Sequence, residues 1–114
     1  MIMKRFCLLL DLKDDPELIR KYEEWHRQVW PEVVLSIRES GILNMEIFRH
    51  ANRLVMLMET EDDFEFSEKA ERDALNETVQ EWEKKMDEFQ RRLPGSKPGE
   101  KWIVADRIFE LSNF

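Results

Sequence analysis

The chain is poor in the residues that most readily announce a function. One cysteine, Cys7, in 114 residues excludes an internal disulfide framework and any multi-cysteine zinc site. Two histidines, His26 and His50, make too small a set for a dedicated transition-metal centre, so no metal site is expected. With 3 glycines and 4 prolines the loops are short and most of the chain is regular. There is no phosphate-cradling glycine loop and no nucleophile elbow, which removes nucleotide enzymes and serine hydrolases. No apolar run approaches the roughly 18 residues of a membrane span. Basic residues are outnumbered, 18 to 25, for a formal net charge of −7. Such a surface repels phosphate backbones and anionic lipid, so neither nucleic acid nor membrane is an expected partner. The segment Met1 to Leu12 turns acidic at Asp11 and lacks a small-residue cleavage site, so it reads as a strand and not a signal peptide, and the expected location is the cytoplasm.

What is present is a 42% hydrophobic, 38% charged chain of a length that fits one domain, residues 1–114. Lys4 to Asp11 reads as a buried strand. Asp15-Pro16-Glu17 is a helix start, with a capping carboxylate, proline at the first helical position and an acid at the positive end of the dipole. Leu18, Tyr22, Trp25 and Val29 follow at helical spacing until Trp30-Pro31 interrupts them, and Val33 to Ser40 predicts a second helix that Gly41 closes. Ile42 to Arg49 and Arg53 to Thr60 predict a hairpin about His50-Ala51-Asn52. Thr60 to Asp63 resembles a capping box for a helix over Phe64 to Ala74. Asn76 caps a further helix, whose stripe of Val79, Trp82, Met86, Phe89 and Leu93 is the clearest period in the chain. Trp102 to Leu111 predicts the last strand. The order strand, helix, strand, strand, helix, strand is the ferredoxin-like α+β plan, βαββαβ, a four-stranded antiparallel sheet with helices on one face. Leu54 to Met58 is apolar without alternation, so both faces of that strand need cover; a homodimer packed sheet to sheet, a dimeric α+β barrel, supplies it. The chain ends in an aromatic, Phe114, which suggests a tail that crosses to the partner.

One segment carries chemistry. Tyr22 and His26 are four apart on the first helix and share a face. Imidazole moves a proton near neutral pH, and a phenol beside it can hold a hydroxylated ligand. The same pair would also serve as a half-buried contact at the edge of the core, and the residues alone leave both open. Trp25, Trp30 and Trp82 offer flat faces of the kind that pack against a sugar ring, with core packing as the plainer role for Trp82.

The spacing Tyr22-x-x-x-His26-x-x-x-Trp30-Pro31-Glu32 resembles the L-rhamnose mutarotase family, as do the N-terminal Met1 to Phe6, Ser40-Gly41, Asn44, the turn Ala51 to Leu54, and Trp82 with Met86. The resemblance implies a cofactor-free, dimeric, ferredoxin-like isomerase of sugar anomers, acting on a 6-deoxy-hexose such as L-rhamnose. It implies His26 as the acid that protonates the sugar and Tyr22 and Trp82 as sugar contacts. Two positions depart from the family. Met45 stands where a second sugar-contacting tyrosine is found, and Glu83 replaces the second member of a Trp-Trp pair. Both changes fall in the sugar-contacting set and leave the proton donor in place, so they imply a sugar preference other than strict L-rhamnose. The alternative reading is a non-catalytic sugar or small-molecule binding protein of the same fold.

Overall fold

The structure is a computed structural model and describes residues 3–114, so Met1 and Ile2 of the resemblance lie outside it. In chain order the elements are β1 (Met3–Leu12), α1 (Pro16–Trp25), α2 (Pro31–Glu39), β2 (Ile42–His50), β3 (Arg53–Glu61), α3 (Phe66–Ala74), α4 (Glu77–Asp87), β4 (Gln90–Arg91) and β5 (Ile103–Val104). A short 3₁₀ turn, Leu111–Asn113, ends the chain. The fold is ferredoxin-like α+β. All strand pairs are antiparallel, in the order β2-β3-β1, and β4 and β5 share the remaining edge of β1.

Local chemistry set several of these boundaries. The Asp15 carboxylate accepts from the backbone N–H groups of Glu17 and Leu18, and the Asn76 side chain accepts from Thr78 and Val79, so both caps sit where the residues place them. Gly41 takes φ +96°, a conformation open chiefly to glycine, and ends the turn after α2. The hairpin turns at Ala51 and Asn52, and Asn52 fastens it to the neighbouring strand: its Nδ2 donates to the Leu12 carbonyl at 3.1 Å, and the Leu12 N–H donates to the Asn52 carbonyl at 2.7 Å.

Elsewhere tertiary contacts override the local pattern. α1 stops at Trp25, short of Val29, because the chain must become extended at Trp30 before Pro31; α2 then begins at Pro31 itself. Thr60 is no cap. It is fully buried inside β3, with its hydroxyl donating to the Glu61 carbonyl, and α3 begins only at Phe66 after Glu65, which makes no side-chain capping bond. Phe64, expected in that helix, precedes it as a buried core residue. α4 ends at Asp87 and not at Leu93, because Gln90 and Arg91 pair with Leu12 and Asp11 at the open edge of β1. The expected strand over Trp102 to Leu111 is reduced to Ile103–Val104 opposite Leu9 and Leu8, followed by one further bond from the Ala105 N–H to the Cys7 carbonyl. Past Ala105 the described residues make no further ladder pairs with β1, and the segment to Leu111 leaves the sheet edge.

The register assigns the two faces of the sheet. Leu8, Leu10 and Leu12 lie beside Leu54, Met56 and Met58 under the helices, where each fully buried leucine contributes about 1.5–3 kcal/mol. Cys7, Leu9, Val55 and Leu57 lie on the opposite face with Phe48. That face is apolar, as the unalternating Leu54 to Met58 run requires, and in one chain it leaves Leu57 43% and Phe48 52% exposed. The tail leaves Ile108, Phe109, Leu111 and Phe114 exposed as well, with Phe109 and Phe114 stacked on each other at 5.4 Å. Among the described residues no helix is long and apolar enough to cross a membrane.

Candidate active site

Between the helices and the sheet lies a cavity of about 360 Å³, near the lower end of the ~300–1,000 Å³ usual for small-molecule sites and so suited to a single sugar ring. Its floor is the helix-facing side of β2, from Ile42 through Met45 to Ile47, and its walls come from α2, α3 and α4. His26 enters from the end of α1, where it caps the helix. As the C-cap it keeps right-handed helical backbone angles and its N–H still donates to the Tyr22 carbonyl at 3.3 Å, so its ring stays on the face that Tyr22 shares.

The imidazole is held on three sides. Nδ1 lies 2.9 Å from the Tyr22 carbonyl and donates to it, which leaves Nε2 for a ligand. The Tyr22 ring lies against it at 4.2 Å between centroids, and Trp82 meets it edge-on at 5.7 Å. Burial holds the His26 pKa below its usual value of about 6.5, and the hydrogen bond to the Tyr22 carbonyl opposes this in part.

Of the predicted site residues, His26, Met45, Trp82 and Glu83 line one cavity. Tyr22 does not. It is 3% exposed, behind His26 and packed against Phe89, and burial pushes its phenol up to about 12, the Glu83 charge adding to the effect. Tyr22 therefore meets the cavity through His26. Trp82 is 6% exposed; it lines the cavity and also packs on Trp30 at 5.2 Å and Trp25 at 6.2 Å. Trp25 and Trp30 stand behind it, with Lys85 over the Trp25 ring at 5.2 Å. Met45 lies opposite Met58 on the helix side of the sheet. Glu83 reaches Lys101 at 2.6 Å, and Lys101 also holds Asp87 at 2.8 Å, so the polar loop before β5 is tied down onto α4.

Several cavity residues escape a reading of the sequence, among them Arg38 of α2, Trp102, Lys69 and Asp73. Trp102 immediately precedes the short β5 and packs against both clusters of the core; its only signal is an aromatic at the end of a polar loop. Lys69 and Asp73 form an i,i+4 ion pair on α3 and also line the cavity. On a helix this polar, the spacing reads as surface decoration.

Imidazole with one free nitrogen, in a cavity faced with indole, thioether and charged side chains, can pass a proton to and from a small polar ligand. The comparisons agree with that chemistry. The family model for L-rhamnose mutarotase matches residues 5–111. An L-fucose mutarotase of Xanthomonas campestris pv. campestris is 54% identical over 114 residues, covering 98% of this chain and 91% of that protein. Among solved structures, the L-rhamnose mutarotase of Formosa agariphila superposes with a TM-score of 0.69 at 23% identity over 95% of this chain and 98% of its own. The tetracenomycin F2 cyclase of Streptomyces glaucescens does so at 0.60 and 19% identity, over 94% and 95%; at these identities both show the fold alone.

Proposed function

The chain belongs to the L-rhamnose mutarotase family and is thus an isomerase of sugar anomers, and from that premise we propose that it interconverts the α and β pyranose forms of a 6-deoxy-L-hexose, L-fucose in preference to L-rhamnose. Exchange of anomers opens the ring. The C1–O5 bond breaks, O5 gains a proton, O1 gives its proton to a water molecule, and the aldehyde recloses on its other face with both transfers reversed. His26 gives the proton to O5 from Nε2 and takes it back on closure. The Tyr22 carbonyl holds Nδ1–H so that the ring keeps one orientation through both steps, which makes Tyr22 a positioning residue. Trp82 offers an indole face to the sugar, Met45 an apolar floor that suits the C6 methyl group, and Glu83 an acceptor for a hydroxyl. The observation that carries this reading is His26 itself, with Nδ1 anchored at 2.9 Å and the ring on the wall of a cavity sized for one sugar.

The preference for L-fucose rests on the 54% identical relative, which is an L-fucose mutarotase, and on Met45 and Glu83. We further propose that the enzyme is a homodimer joined through the face bearing Phe48, Val55 and Leu57, with the tail to Phe114 crossing to the partner's cavity, and that it works in the cytoplasm, where the free thiol of Cys7 is at home. The test is exchange between α and β anomeric protons, followed by saturation-transfer NMR for L-fucose, L-rhamnose and other 6-deoxy sugars against a buffer control. Acceleration is expected for L-fucose above the others. If no sugar exchanges faster than in buffer, the catalytic reading fails.

A further inference from the structure

Resting on the mutarotase reading above, we propose that Lys69 and Asp73 of α3 are the specificity-determining wall of the cavity, and that they bind the cis hydroxyls at C3 and C4 of the sugar.

Three observations lead to this pair. Both side chains line the same cavity as His26, yet they come from a different element. Both are largely withdrawn from solvent, at 24% exposed for Lys69 and 20% for Asp73. And the pair is poorly placed to serve the helix. Asp73 sits in the last turn of α3, at the negative end of its dipole, where a carboxylate is disfavoured. The order Lys then Asp at i,i+4 is also the weaker orientation for helix support. Helix stability does not account for the pair, while a polar ligand in the cavity does.

The chemistry suits a sugar hydroxyl. Asp73 accepts a hydrogen bond from Lys69, which uses one of its roughly four acceptor positions and one of the three Lys69 donors. The pair thus presents an acceptor beside a donor. A hydroxyl is both, so it can donate to Asp73 and accept from Lys69, and each bond polarises the next. His26 must serve O5 and C1. In a six-membered ring the bond opposite O5–C1 is C3–C4, so the far edge of the sugar falls to the elements that do not carry His26. L-Fucose and L-rhamnose differ in configuration at C2 and C4. In L-fucose the hydroxyls at C3 and C4 are cis and can both reach one ion pair; in L-rhamnose they are trans and diequatorial. The pair therefore favours the galacto configuration.

The experiment compares wild type, Asp73→Asn, Asp73→Ala and Lys69→Met in anomer exchange of L-fucose and L-rhamnose, with circular dichroism to verify folding. For Asp73→Ala, kcat/KM for L-fucose is expected to fall about 10- to 100-fold, mainly through KM, as for loss of a hydrogen bond to a charged group. L-Rhamnose is expected to change less than about threefold, so the fucose-to-rhamnose ratio collapses. Lys69→Met should act in the same direction, and Asp73→Asn, which keeps the shape, should lose less than Asp73→Ala. A ratio that stays constant, whether both sugars hold or both fall, overturns the proposal and makes the pair structural. Wild type that exchanges L-rhamnose but not L-fucose also overturns it. Wild type that accelerates neither sugar overturns the mutarotase reading, and this proposal with it.

Discussion

Replacing His26 by Asn tests the centre of the mechanism. Asparagine keeps an N–H able to reach the Tyr22 carbonyl, so much of the 2.9 Å anchor survives, and loss of that bond altogether would cost only about 0.5–1.5 kcal/mol. The variant should therefore fold. What it lacks is a titratable nitrogen in place of Nε2. A positioned acid contributes about 10²–10⁴-fold, which at about 1.36 kcal/mol per decade is roughly 3–5 kcal/mol of barrier. The proton moves only as the C1–O5 bond breaks, so the loss belongs to the transition state. kcat should drop by 10²–10⁴ (about two to four decades) while KM stays within about threefold. The rate is read from saturation transfer between α and β anomeric protons of L-fucose, at low buffer concentration and after subtraction of the protein-free rate. Tyr22→Phe is the control. It removes the phenolic hydroxyl but keeps the carbonyl that His26 uses, and because Tyr22 is buried behind the ring it should cost less than about tenfold. If His26→Asn keeps kcat within threefold of wild type, the acid is another group. If Tyr22→Phe is as damaging as His26→Asn, the phenol takes part in the chemistry and the positioning role is wrong.

Because burial holds the His26 pKa below about 6.5, an imidazolium acid loses population as pH rises through that lowered value, and log kcat/KM should already be declining at neutral pH; a profile that climbs through the same window assigns the neutral ring a base role at O1 instead. The linked stability runs the other way: the folded state binds this proton less well than the unfolded chain, so His26's contribution is complete above about 6.5 and is lost as pH falls toward the folded value, a slope that His26→Asn should remove from chemical unfolding measured across that range. Leu57→Asp puts a charge on the apolar sheet face and should turn a dimer into a folded monomer in sedimentation at micromolar concentration; a monomeric wild type sinks the dimer. Deleting Leu111 to Phe114 should lower activity or weaken the dimer, and a truncated protein unchanged in both removes the tail from the site.

Much of the frame was legible because its causes are local. Asp15 and Asn76 cap helices through backbone N–H groups two and three residues away, Gly41 supplies a conformation that a side chain resists, and the unalternating run from Leu54 to Met58 makes both faces of that strand apolar. The offset between Tyr22 and His26 likewise brings their rings together on any helix that reaches both. The structure decided what depends on distant partners. An open edge on β1 drew Gln90 and Arg91 out of a helical stripe that ran on to Leu93, and β3 absorbed Thr60, which in isolation makes a plausible cap. The extended conformation required before Pro31 ended α1 early, and the packing of α1 against Trp82 and Phe89 put His26 on the cavity wall and Tyr22, one turn back, in the core. Lys69, Asp73 and Trp102 join the site only because α3 and β5 close over the floor formed by β2. Period and capping residues specify an element and the face it buries, because they act through neighbours in the chain; which side chains meet across a cavity is fixed by how the elements pack, through contacts tens of residues apart that no local pattern encodes.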